Sequence, residues 1–256
     1  MGKIIAVAGK GGVGKTTLCG LLVQYLCQSG KSPVLAVDAD ANSNLNEVLG
    51  VEAGPSLSEI REEIERAGLS GYPEIPAGIA KADYLQTRLS NALTEADDFD
   101  LMIMGRSQGQ GCYCFVNGLV QAQIQKLQSS YPYIVVDNEA GMEHISRGLV
   151  PAMDVTLLIS DCSRRGIQAA GRIARLMAEL QFHPTQSGLI VNRAPDGILD
   201  AGTMDEIDRQ ELSLLGVVPQ DRSVYRFDCE GKPIIQLPED SPVRTALREI
   251  VHKLGL

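Results

Sequence analysis

The sequence predicts an α/β protein with a mostly parallel central sheet of about seven strands and helices on both faces. Two observations carry this reading: short apolar runs rich in β-branched residues recur along the chain, and stretches with helical spacing separate most of them. A third is a glycine-rich loop set between the first run and the first helical stretch.

The strand candidates in chain order are Ile4 to Ala8, Val34 to Val37, Leu101 to Met104, Ile134 to Val136, Val155 to Ile159, Leu189 to Val191 and Leu214 to Val218. Each is apolar throughout rather than alternating, as strands covered on both faces are. The first helix is signalled by Leu18, Leu22 and Leu26, and a later one by Ile167, Ile173 and Leu176 to Leu180. Residues 45–98 depart from the alternation and read as a helical insertion. Within it, Leu57, Ile60 and Ile64 face one side of a helix and Glu59, Glu62, Glu63 and Glu65 the other. A Pro/Gly-rich stretch follows, and then a second helical stretch spans about Ala82 to Leu93. The acidic face reads as a solvated surface.

With 256 residues, 44% of them hydrophobic and 21% charged, the chain can bury a full core and is expected to be one domain over residues 1–256. It carries 32 acidic against 23 basic residues, a net charge of −9, which argues against nucleic acid as a general partner. Lys10 interrupts the first apolar run too early for a signal peptide. No stretch approaches the roughly 18 uncharged apolar residues of a spanning helix. A cytoplasmic protein without a membrane partner is the expectation, and in a reducing compartment a close cysteine pair points to metal or redox work.

Gly9-Lys10-Gly11-Gly12-Val13-Gly14-Lys15-Thr16-Thr17 follows the first strand and opens the first helix, matching G-x-x-x-x-G-K-[ST] in the context the motif requires. Its glycines let consecutive N–H groups face the phosphates of a nucleotide, and the helix start adds the positive end of its dipole. Lys15 is placed to reach the β- and γ-phosphate oxygens, and the Thr16 hydroxyl to ligate Mg²⁺.

Lysine at the second position, in Lys10-Gly11-Gly12-Val13-Gly14-Lys15-Thr16, resembles the deviant Walker A loop of the MinD/ParA/nitrogenase-iron-protein superfamily. That resemblance implies an ATPase and a homodimer formed around ATP, with Lys10 crossing to the partner's phosphates. It implies further that Asp40, in Asp38-Ala39-Asp40-Ala41-Asn42-Ser43-Asn44, orients the attacking water. Asp137, in Asp137-Asn138-Glu139-Ala140-Gly141, holds Mg²⁺ in the same comparison, and Asn192 meets the purine. The guanine signature Asn-Lys-x-Asp is absent, because Arg193 replaces the lysine and Asp196 falls one position late, so ATP is expected rather than GTP.

Cys112-Tyr113-Cys114 lies in a glycine-rich stretch after the Leu101 to Met104 run. Two thiols so spaced can bind one soft cation but supply only half of a four-thiolate shell; packing is the alternative. In a two-fold dimer the mate supplies the other half. The Met104-Gly105 to Cys112-x-Cys114 stretch and Gly141-Met142-Glu143-His144-Ile145-Ser146-Arg147-Gly148 resemble the CooC family, the ATPases that mature nickel-containing carbon monoxide dehydrogenase, and the related insertion factors of acetyl-CoA synthase. The resemblance implies Ni²⁺ at Cys112 and Cys114, with Zn²⁺ possible in the same site, and a nickel acceptor enzyme as partner. Switch I departs from it, with Ala41 and Asn42 where relatives often have Pro and Asp. Two alternatives stay open: a MinD/ParA-like positioning ATPase bound to membrane or DNA, and a reductase ATPase carrying an Fe–S cluster. Against the latter, Met142 stands where the nitrogenase iron protein has its second ligand cysteine.

The remaining candidates read as structural. Val243, Leu247, Ile250, Val251 and Leu254 form a wide C-terminal stripe expected to pack in the core rather than on a membrane. Cys19 and Cys27 read as small buried hydrophobes, Cys162 and Cys229 lack a sequence partner, and His144 reads as structural before metal-binding.

Overall fold

A computed structural model describes residues 1–67, 69, 74–106, 121–139 and 153–256, with the side chains of residues 81, 82 and 85 left aside. Cys112, Cys114, Met142 and His144 lie outside the described residues.

The chain runs β1 (Lys3–Gly9), α1 (Lys15–Gln28), β2 (Val34–Ala39), α2 (Leu45–Leu49), α3 (Leu57–Glu65), α4 (Lys81–Ser90), β3 (Leu93–Glu95) and β4 (Phe99–Ile103). Helical residues 121–127, here α5, precede β5 (Tyr133–Asn138) and β6 (Val155–Ser160). Then come α6 (Arg164–Glu179), β7 (Gln186–Ala194), α7 (Ala201–Arg209), β8 (Leu214–Pro219), α8 (Arg222–Cys229) and α9 (Pro242–Lys253). The eight strands form one sheet in the order β3-β4-β2-β5-β1-β6-β7-β8, parallel except for the antiparallel β3–β4 pair at one edge.

Alternation along the strands distributes the core into two layers. Ile4, Ala6 and Ala8 of β1 face a layer containing Leu57, Ile60 and Ile64 of α3, Leu89 of α4, Ile124 of α5, and Ile167, Ile173 and Met177 of α6. Ile5 and Val7 face α1, α2 and α9 on the other side. With both faces covered, the strands have no polar face to show, which is why the sequence reads as continuous apolar runs.

The helix of the insertion forms as its pattern predicts. Ser56 caps α3 through a capping box with Glu59, and Leu57, Ile60 and Ile64 are buried. Its acidic side is partnered: Glu65 meets Arg61 at 2.8 Å, Glu63 meets Arg88 of α4 at 2.5 Å, and Glu62 meets Arg66 at 3.7 Å. The second helical stretch ends sooner than its spacing suggests. After α4 closes at Asn91, Leu93 enters β3, so the sheet gains an eighth strand that the sequence does not announce. Three residues are too few to display a period of two.

The C-terminal stripe packs inward. Val243, Leu247, Ile250 and Val251 are at most 3% exposed, and α9 lies on β8 and α1. Among the described residues no helix is long and apolar enough to cross a membrane. Cys19 is fully buried and Cys27 half-buried, its thiol facing the Asp98 carbonyl oxygen at 3.3 Å. Cys229, by contrast, is exposed at the end of α8.

Truncating the middle of the stripe tests the core role of α9. Leu247→Ala is expected to destabilise the fold by about 2–5 kcal/mol, read from urea unfolding; an unchanged midpoint would mean the stripe serves something outside the core.

Candidate nucleotide site

Register brings three separate sequence segments to one edge of the sheet. On adjacent parallel strands Val7 pairs with Asp137 and Asp38 pairs with Asp137, while Gly9 pairs with Ile159 of β6 on the other side. The loop after β1, the loop after β2 and the end of β5 therefore meet at the carboxyl edge, on the flanks of β1, where open α/β sheets bind ligands.

Residues 9–17 bridge β1 and α1. A Cβ on Gly9 would lie 2.2 Å from the Ile159 carbonyl oxygen, so only glycine lets the loop leave the sheet so closely against β6. Gly14 caps α1 in the left-handed region at φ 90°, and a Cβ there would meet Asn192 Nδ2 at 2.5 Å. No side chain caps this helix start and its first turn has no acid, which leaves its N–H groups to an anion.

A cavity of about 300 Å³ opens over the loop, lined by Gly11, Gly12, Gly14, Lys15, Thr16, Thr17, Asp40, Asn42, Asn44 and Arg193. Lys15 is buried at 6% exposure and Val13 is buried, whereas Lys10 stands exposed. Thr17 and Arg193 also line a second cavity of about 310 Å³, walled by Asn192, Pro219, Asp221, Val224 and Ile234 among others. One cavity is polar and framed by a helix start; the other, between β7, β8 and α8, is the size and character of a pocket for a flat heterocycle.

Two carboxylates under the loop are buried. Asp38 is fully buried, accepting from Asp40 N at 3.1 Å and Leu45 N at 2.9 Å, so it ties both ends of the 40–45 loop to β2. Burial pushes it up to about 6. Asp40 is half-buried and accepts from the backbone and side-chain nitrogens of Asn42 at 2.9 and 3.1 Å.

Asp137 is 1% exposed, and burial pushes it up to about 7, with Asp38 adding repulsion. The Thr16 hydroxyl and the Lys15 ammonium oppose that shift, yet neither Asp137 oxygen completes a hydrogen bond among the described residues. A buried carboxylate with both oxygens orphaned suits a hard divalent cation. Mg²⁺ needs few protein ligands, since it keeps waters and takes phosphate oxygens, and a hydroxyl beside one carboxylate meets that need. No cluster of three or more His, Cys, Asp or Glu side chains suited to a metal occurs among the described residues.

Asn192 lies inside β7 rather than after it. Its Nδ2 donates to Val13 O at 2.8 Å and its Oδ1 accepts from Arg193 N at 2.9 Å, so its amide is engaged with the loop while it lines the second cavity. Sequence reasoning missed three contributors. Arg193 gives no local signal, and Asp38 reads as the lesser acid of its segment. Asp221 caps α8 by accepting from Ser223 N at 2.8 Å and takes the Ser241 hydroxyl at 2.6 Å, framing the second cavity; Asp-x-Ser was a legible cap.

Comparison with known proteins gives the family and the fold. The CobQ/CobB/MinD/ParA nucleotide binding domain matches residues 4–234. An uncharacterized ATP-binding protein of Methanocaldococcus jannaschii is 39% identical over 252 residues, covering 98% of each chain. The carbon monoxide dehydrogenase accessory protein CooC of Rhodospirillum rubrum is 29% identical over 258 residues, covering 98% of this chain and 94% of that one. The septum site-determining protein MinD of Pyrococcus horikoshii, complexed with Mg-ADP, shares the fold with a TM-score of 0.71 at 19% identity, over 99% of this chain and 96% of that one.

The orphaned carboxylate generates a pH-dependent expectation. In the folded, metal-free chain Asp137 takes up its proton at about 7, against 3.8 for an ordinary aspartate. The folded state thus binds more protons between those values, and the stability this group contributes is complete below about 4 and lost as pH rises to about 7. Asp137→Asn in EDTA is expected to stabilise the chain on the order of a few kcal/mol at pH 8, with the gain vanishing towards pH 4. Urea midpoints across that range check it; a gain of constant size at every pH would contradict it.

Proposed function

The chain belongs to the CobQ/CobB/MinD/ParA nucleotide-binding family and is a P-loop ATPase; from that premise we propose that it is a metallochaperone that dimerises around ATP and carries Ni²⁺ to an acceptor enzyme. The observation that carries the metal reading is Cys112-Tyr113-Cys114 in a chain that is similar along nearly its whole length to a carbon monoxide dehydrogenase accessory protein. The two thiolates make half a soft-metal shell, and a second copy across a two-fold axis completes it. Zn²⁺ fits the same four thiolates, and coordination geometry separates the two, square-planar for Ni²⁺ and tetrahedral for Zn²⁺.

Lys15, buried in the loop, neutralises the phosphates of its own nucleotide. Lys10 is exposed on the same loop and free to reach a second chain's nucleotide, where a cation stabilises charge on the transferring phosphoryl group. Asp40, at the mouth of the cavity, orients the attacking water. Thr16 and Asp137 hold Mg²⁺, which supplies further neutralisation of the β- and γ-phosphate oxygens. Asn192 and the second cavity receive the base.

A second reading, a positioning ATPase that reads out on membrane or DNA, is supported by the shared fold with the septum site-determining protein. The burial of the α9 stripe counts against its membrane form, because those apolar side chains are already used in the core.

Four measurements decide. Titration with Ni²⁺ in ATP is expected to give one ion per two chains, lost in Cys112→Ser; one ion per chain, or binding indifferent to the substitution, refutes the shared thiolate site. Lys10→Ala is expected to leave ATP bound to monomers while abolishing the ATP-dependent dimer in light scattering. Asp40→Ala is expected to lower kcat by about 10²-fold or more while the ATP-bound dimer persists. ATP-dependent cosedimentation with vesicles or DNA, without thiol-dependent metal uptake, would replace the first reading by the second.

A further inference from the structure

We propose that Arg193 is a positioning residue for ATP: with Asn192 it forms a buckle that turns the carbonyls of the phosphate loop outward before the nucleotide arrives. Two successive loop carbonyls are taken from one tether. Arg193 Nη1 donates to Gly12 O at 2.9 Å, and Asn192 Nδ2 donates to Val13 O at 2.8 Å. A loop that binds polyphosphate must aim its N–H groups at the ligand, and any peptide unit that flips puts a carbonyl oxygen against a phosphate oxygen instead. Glycine-rich backbone flips easily, so Gly11, Gly12 and Gly14 make the loop able to bind but poor at staying ready. Donors fixed from β7 select the binding conformation and remove its ordering cost from the binding step.

The local backbone is set for this task. Arg193 occupies the left-handed region at φ 58°, sparsely used by long side chains, and is held there as its own N–H donates to Asn192 Oδ1 at 2.9 Å. Its side chain is exposed and makes no ion pair among the described residues, so the hydrogen bond to Gly12 is its main engagement. Arg193 also lines both cavities, standing between the phosphate cradle and the second pocket.

The inference rests on the ATP site and not on the metal reading, and its test contains no metal other than Mg²⁺. ATP affinity by calorimetry, steady-state kcat and KM, and thermal midpoint are compared for wild type, Arg193→Ala, Arg193→Lys and Arg193→Gln. The alanine variant is expected to weaken ATP binding and raise KM about 10-fold, with kcat changed less than about 2-fold and an unaltered midpoint. Lysine retains a donor long enough for Gly12 O and is expected to stay within about 3-fold of wild type, whereas glutamine, two bonds shorter than arginine, is expected to resemble alanine. Arg193→Ala with wild-type affinity overturns the proposal. So does an affinity loss in Arg193→Ala that disappears at high salt, which would make Arg193 a charge on the phosphates rather than a buckle. A lowered midpoint with unchanged KM would make the contact merely structural.

Discussion

The parallel register of β2, β5 and β1 is the constraint on which the site depends. Because Asp38, Asp137 and Val7 occupy one level of three adjacent strands, the carboxylates and the loop that follows β1 cannot be separated without shearing the middle of the sheet. That register is in turn fixed by two-sided burial. A slip of one residue would exchange the Ile4, Ala6, Ala8 face with the Ile5, Val7 face, and each is packed against a different set of helices. The apolar layers thus hold a polar site in place, and one of them lends Val224 and Ile234 to the wall of the second cavity.

That placement costs stability. Asp137 is buried without a completed hydrogen bond among the described residues, beside Asp38, which is itself desolvated. A buried carboxylate of this kind is expensive to keep ionised, and a fold selected for stability alone would have no reason to retain it. Its position next to Thr16 and Lys15, under a helix start without a capping side chain, fits the proposed nucleotide site, which a cation and an anion would complete together. Asp38 shows the complementary case, since its two backbone acceptances convert a buried charge into a clamp on the 40–45 loop.

Much of this was legible residue by residue. The phosphate loop, the helix at 57–65 and all seven long strands declare themselves through glycine spacing, an amphipathic pattern and apolar runs, which are local patterns. The short edge strand Leu93–Glu95 did not, because three residues pairing with a distant partner leave no periodic trace. Cys229 shows the same limit in reverse: nothing near it in the sequence distinguishes an exposed thiol at a helix end from a packed one. Arg193 was visible only as the residue that breaks a guanine signature, and its hydrogen bond to the phosphate loop gives it a positive role.

By itself the sequence determined the seven long strands, the nucleotide loop and the identity of its lysines, threonines and aspartates, since each depends on neighbours a few positions away. The tertiary structure alone decided which carboxylates are buried, which oxygens remain without partners, and that residues 192 and 193 hold residues 13 and 12. Those partners are 179 and 181 positions apart in the chain. Desolvation and hydrogen bonding depend on what surrounds an atom in space, and a parallel sheet assembles that surrounding from strands far apart in sequence.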